Sequence, residues 1–127
     1  MIVLDASAGL AALLRSGPAR AAVASEQVHV PHLADVEVVH TLRRLLLSGQ
    51  LEGPQAEAAV RTWSRLGLVR HSVHPLLGRV WELRDSVTAY DASYVALAES
   101  LGCPLVTADR RLARAGAARC PVTVVPN

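Results

Sequence analysis

Four carboxylates in this chain stand where chemistry could use them. Asp5 follows directly on the apolar run Ile2, Val3, Leu4. Such a run reads as a buried strand, and a carboxylate at its end must be paired, hydrated or metal-bound. Asp109 closes a second apolar run, Pro104 to Thr107, and each of these acids has a hydroxyl within two residues, Ser7 and Thr107. Glu37 and Asp91 fall near the starts of helical patterns. Taken singly, each acid has a plainer role: Asp109 as a helix N-cap, Asp91 in a capping box with Thr88, Glu37 against a helix dipole. Asp5 is the least easily explained in that way. Carboxylates and hydroxyls are hard oxygen donors suited to Mg²⁺ or Mn²⁺, whereas acids without His or Cys partners do not suit zinc. Like charges gathered without a cation would show raised carboxyl pKa values. The expectation is that all four acids converge on one acidic, metal-holding pocket.

The elements that must position them alternate. A strand over residues 2–5 leads into a helix through Leu14 with Ser7 as its N-cap, and Gly17-Pro18 breaks that helix. A short helix over 19–24 and a strand over 28–30 follow. A long helix from Leu33 to Ser48 carries the row Glu37, Thr41, Arg44 and stops at Gly49. Further helices are expected from Gly53-Pro54 to Leu66, from Pro75 to Arg84 and from Thr88 to Leu101, the last apolar almost all round and so central. Strands are expected at 68–73, 104–107 and 122–125, with a short helix up to Ala115. Strands alternating with helices argue for an α/β fold, a mostly parallel sheet with helices on both faces. In such sheets chemistry gathers beyond the carboxyl ends of the strands.

At 127 residues, half of them hydrophobic, the chain is expected to form a single domain over 1–127 with a Leu, Val and Ala core. No apolar run approaches the roughly 20 residues of a membrane span. The first residues lack the basic stretch of a signal peptide, so the expected location is cytoplasmic, with no membrane partner. Cys103 and Cys120 lack a CxxC spacing and are expected reduced. A formal charge of +2 is too mild to announce nucleic-acid binding. Every basic residue is Arg. Without Lys the chain cannot be a P-loop NTPase or a Schiff-base enzyme, and a receiver-type phosphoacceptor is disfavoured.

The segments MIVLDASAGL, PHLADVEVVHTLRRLL, TAYDASYVALAESLGCPLVTADRRLARA and VTVV together resemble PIN-domain ribonucleases of the VapC toxin type, in that family's order and spacing. The resemblance implies a PIN-like α/β fold and metal-dependent endonucleolytic cleavage of RNA. It carries the family's acidic quartet onto Asp5, Glu37, Asp91 and Asp109, with Asp5, Asp91 and Asp109 as metal ligands for Mg²⁺ or Mn²⁺. Glu37 would orient the water or complete a second metal site. Ser7 and Thr107 would be the hydroxyls that aim the carboxylates. It further implies a cognate VapB-type antitoxin of a type II toxin–antitoxin system, and a homodimer or toxin–antitoxin hetero-oligomer.

Other residues have weaker claims. Arg43, Arg44, Arg110 and Arg111 could meet RNA phosphate, since Arg forks match phosphate geometry. Asp35 reads as a helix-start acid and Asp85 as a solvated loop acid. His29, His32, His40, His71 and His74 lack metal-ligand spacing, with His40, one turn after Glu37, the first to test. Tyr90 reads as a packed ring, and Trp63 and Trp81 as core or interface. Competing functions are a metal-dependent phosphatase or DNA nuclease on the same scaffold, and a non-catalytic RNA-binding module.

Overall fold

A computed structural model describes residues 1–127. Five short strands form one parallel sheet: β1 (Ile2–Leu4), β2 (Val28–Pro31), β3 (Val69–His71), β4 (Leu105–Thr107) and β5 (Val122–Val124), in the order β3-β2-β1-β4-β5. The first two and β4 are buried on both faces, which is why they read as continuous apolar runs rather than alternating ones. Val3 sits opposite His29 on one side and Leu105 on the other, so β1 is the central strand. The chain builds outward from β1 to β2 and β3, then crosses to β4 on the opposite side. That reversal opens a crevice between the carboxyl ends of β1 and β4.

The helices are α1 (Ala6–Leu14), α2 (Pro18–Ser25), α3 (Leu33–Leu47), α4 (Gly53–Arg65), α5 (Leu77–Glu82), α6 (Ala89–Leu101) and α7 (Arg110–Arg114). No helix is long and apolar enough to cross a membrane. Helix α6 buries seven consecutive residues, Ala92 to Ala98, and packs on β1, β2 and β4. It ends at Gly102, whose left-handed conformation (φ 64°) suits a residue without Cβ. Its small side chains let the helix lie close on the sheet. The same logic acts on α1, where a Cβ at Gly9 would stand 2.9 Å from Cζ3 of Trp63.

Several local expectations are corrected. The N-cap of α1 is Asp5, whose carboxylate accepts from the Ala8 backbone N–H, while Ser7 lies inside the helix. The helix foreseen from Pro75 splits into a 3₁₀ turn (His74–Leu76) and the shorter α5, and β3 is three residues long. Asp35 is more than a helix-start acid. It accepts a two-pronged bond from Arg70 of β3 (2.8 and 2.9 Å) and another from the indole N–H of Trp63 (2.8 Å), tying α3, α4 and β3 together. Trp63 is core, whereas Trp81 is 68% exposed with Arg84 stacked over its ring, and Tyr90, expected to be a packed ring, is instead 64% exposed. Cys103 and Cys120 are both free.

Candidate active site

The crevice at the carboxyl ends of β1 and β4 is a cavity of about 540 Å³, and all four acids line it: Asp5, Glu37, Asp91 and Asp109. They arrive from four separate parts of the chain. Asp5 leaves the end of β1, Glu37 stands in the second turn of α3, Asp91 in the first turn of α6, and Asp109 leaves β4.

Asp5 is the fixed point. It is 4% exposed, and both its oxygens accept hydrogen bonds, Oδ2 with a lone pair to spare. Oδ1 accepts from the Ser7 hydroxyl (2.6 Å) and the Ala8 N–H (2.9 Å), and Oδ2 from the Thr107 hydroxyl (2.5 Å). The two hydroxyls are themselves held. Ser7 Oγ accepts from the Ala108 N–H (2.9 Å) and Thr107 Oγ1 from the Asp109 N–H (3.0 Å). This lattice spans about a hundred residues of sequence and locks the ends of β1 and β4 together. Burial pushes the Asp5 carboxyl above its ordinary range, against the pull of Ser7, Thr107 and Ala8.

Asp91 is raised too, first by burial and then by the charge of Asp109. Glu37 is raised by burial and by Asp91 and Asp5, while the Tyr94 hydroxyl, donating to its Oε1 at 3.1 Å, opposes the shift. Asp109 is the exception. The Arg111 guanidinium forks onto both its oxygens (3.1 and 3.0 Å) and holds its carboxyl low. Three acids out of four thus sit in a site that disfavours their charge.

The acids line one cavity but do not close on one point. Among the His, Cys, Asp and Glu side chains, no group of three is gathered tightly enough to cage an ion. The expected convergence is therefore reached at the level of a shared cavity only. The reason is local: Arg111 draws Asp109 towards itself, Tyr94 holds Glu37, and the hydroxyl lattice holds Asp5. The donor set still fits a hard divalent cation. It is all oxygen, it carries like charges in a partly desolvated space, and only one of the four acids has a cationic partner.

Tyr94 escaped the sequence reading. It is 1% exposed, one helical turn after Asp91 on the same face of α6, and that i, i+3 spacing was the available clue. Burial and Glu37 keep its phenol protonated far above neutrality, so it acts as a donor. The row Glu37, Thr41, Arg44 holds together, all three lining the cavity, and Arg111 lines it too. Arg43 does not. It borders a separate groove between α3 and α4 with Val39, Leu46 and Val60. Arg110 is exposed outside the cavity, as are His40 and Asp85. Arg15, which no motif announced, also lines the cavity.

Residues 2–118 match the PIN domain family model. The chain is 55% identical over 126 residues to the ribonuclease VapC9 of Mycobacterium tuberculosis, covering 99% of both chains. Among solved structures it is similar to PAE2754 from Pyrobaculum aerophilum, with a TM-score of 0.73 and 25% identity over 97% of this chain and 83% of that one. The fold is also that of Mycobacterium tuberculosis VapC20, described as a Sarcin-Ricin loop cleaving toxin, with a TM-score of 0.69 and 21% identity over 91% of this chain and 95% of that one.

Proposed function

The chain belongs to the PIN-domain family, among its VapC ribonucleases, and from that membership we propose that it is the toxin of a type II toxin–antitoxin system, an endoribonuclease that works with Mg²⁺ or Mn²⁺ and is neutralised by a VapB-type antitoxin. One observation carries the catalytic part: four carboxylates from four chain segments line a single cavity, and burial and mutual repulsion raise three of them.

In this reading Asp5, Asp91 and Asp109 hold the cation. Bound there, it would supply a water of lowered pKa and charge neutralisation at the scissile phosphate. The rest falls to the protein. Ser7 and Thr107 aim Asp5 by donating to both its oxygens. Tyr94 holds Glu37 in a fixed orientation facing the other acids, where its carboxylate can accept a proton from the attacking water. Arg111, now paired with Asp109, would be free to meet the phosphate if a cation took its place on that carboxylate. An anionic phosphodiester would otherwise be repelled from so acidic a floor.

The test is cleavage of RNA, DNA and a small phosphate monoester side by side, with Mg²⁺, Mn²⁺ or chelator. RNA alone should be cut, only with metal, and Asp5→Asn or Asp91→Asn should abolish cutting. A wild-type rate from either variant under the same metal refutes the assignment. Hydrolysis of the monoester at a comparable rate would make the protein a phosphatase instead.

A further inference from the structure

Where the four acids are most crowded, the cavity is anionic, but besides Arg111, which is paired with Asp109, two further lining residues carry positive charge. Arg15, at the C-terminal end of α1, and Arg44, in the last turns of α3, both border the cavity that the acids line. Helix α1 packs against α3, and each follows its strand at the sheet's carboxyl edge and runs back from it. Along α3, Arg44 stands seven residues beyond Glu37, and along α1, Arg15 stands eight beyond Ser7. At 1.5 Å per residue, Arg44 starts about 10 Å along its helix from Glu37, and Arg15 about 15 Å along its own from Asp5. Two neighbouring helices thus bring one Arg each to the same cavity, both set back from the acids.

Neither Arg is spoken for. Arg70, Arg79, Arg111 and Arg119 lie against carboxylates, and Arg20 donates to the carbonyls of Ala12 and Leu13. Arg15 and Arg44 make no ion pair and no side-chain hydrogen bond, although four carboxylates share their cavity. The separation along the helices keeps them apart. Two free, fork-shaped donors at a set distance from an acidic floor match a polyanion that spans both ends, with one phosphate at the acids and another at the arginines.

We propose that Arg15 and Arg44 form a clamp for a backbone phosphate neighbouring the scissile one, so that the substrate is an RNA strand extended by at least one further phosphodiester on that side. This rests on the ribonuclease reading above and names how the same site takes its substrate. The clamp recognises charge and spacing rather than base identity. It sets the position of the strand, and a mononucleotide ester reaches only one end of it.

The test uses the full-length wild-type protein with R15Q, R44Q, the double variant, and R15K/R44K. Their melting temperatures are compared first to show that all fold. The probe is a short oligoribonucleotide containing one cleavage site, made as a set in which each phosphate in turn is a neutral methylphosphonate. Each Gln variant should raise KM about tenfold, the loss expected of a charged hydrogen bond at an accessible site, with kcat within twofold. Each should also flatten the salt dependence of binding by about 0.7 in log–log slope. One or two adjacent methylphosphonate positions on one side of the cut should weaken wild-type binding about tenfold and leave the double variant unmoved. The Lys pair should recover part of the loss, having the charge without the fork.

Equal sensitivity of wild type and double variant at every position overturns the clamp, as does an unchanged KM. Binding is read by fluorescence anisotropy without metal, so it needs no cutting. A protein that binds with this phosphate pattern but never cleaves overturns the ribonuclease reading and leaves the clamp standing. One that cleaves without the pattern does the reverse.

Discussion

Replacing Tyr94 by phenylalanine removes one oxygen atom and tests the geometry of the site more sharply than removing an acid. The Tyr94 hydroxyl donates to Glu37 at 3.1 Å. The phenyl ring would fill the same buried space, so no cavity opens. The loss is one hydrogen bond to a charged group. Glu37 borders the cavity and can be rehydrated there, which puts the cost near the lower end for charge-assisted bonds, about 1–2 kcal/mol. For a chain of this length each kcal/mol corresponds to about 4 °C, so the melting temperature should fall by about 4–8 °C. Activity should fall further than stability alone requires, because the freed Glu37 no longer faces Asp5 and Asp91. At a temperature well below the melt, kcat should drop about tenfold or more with KM nearly constant, the pattern of a carboxylate that acts in the transition state. Glu37→Gln in the Tyr94→Phe background should then cost much less than in the wild type, since the two act as one unit. Additive losses in that cycle, or a Tyr94→Phe protein with wild-type kcat, would refute the reasoning.

Asp91→Asn should raise the melting temperature of the metal-free protein near neutral pH. The folded pKa of Asp91 is raised, so its stabilising contribution is present when protonated and is lost as pH rises through the folded value. The gap between variant and wild type should therefore shrink as pH falls from neutrality through the raised folded value of Asp91, and the comparison cancels His29, whose pKa burial lowers. Added Mn²⁺ should reverse the order by stabilising the wild type more, read by differential scanning fluorimetry. Ser7→Ala and Thr107→Val should each lower metal affinity or cleavage by about 10–100-fold, the range for residues that aim a ligand, measured by calorimetry and initial rates. Asp35→Ala should destabilise by about 1–3 kcal/mol, since it strands the buried Trp63 N–H, yet leave the cleavage rate of the folded protein unchanged. Gly9→Ala should lower the melting temperature, because its methyl would meet Trp63 at 2.9 Å and overpacking outweighs the gain in helix propensity.

The order of strands and helices was legible from the apolar runs and their glycine and proline stops, as at Gly49 and Gly102. So were the four acids, each of which stands at or near an element end. What escaped was set by tertiary contact. Tyr94 shows only an i, i+3 spacing to Asp91, and nothing in the sequence says that its hydroxyl meets a residue 57 positions away. Arg15 carries no motif, and its place in the cavity follows from the packing of α1 on α3. Arg43 and Arg44 are adjacent in sequence, so a helix must turn them about 100° apart, and the row Glu37, Thr41, Arg44 already set Arg44 on the side of the acid. The split between Asp5 and Ser7 at the start of α1 also could not be read from residue type, because Ser and Asp are equally good caps.

The ion pair between Arg111 and Asp109 has a consequence for how the protein lives before it meets metal. Its guanidinium is 88% exposed, so the bond is weak and fades with salt. It serves as a provisional counter-charge, carried by the chain itself, that spares the newly folded molecule some of the strain of its own anions. A cation bound there as proposed would have only to displace a loosely held tenant, at little cost.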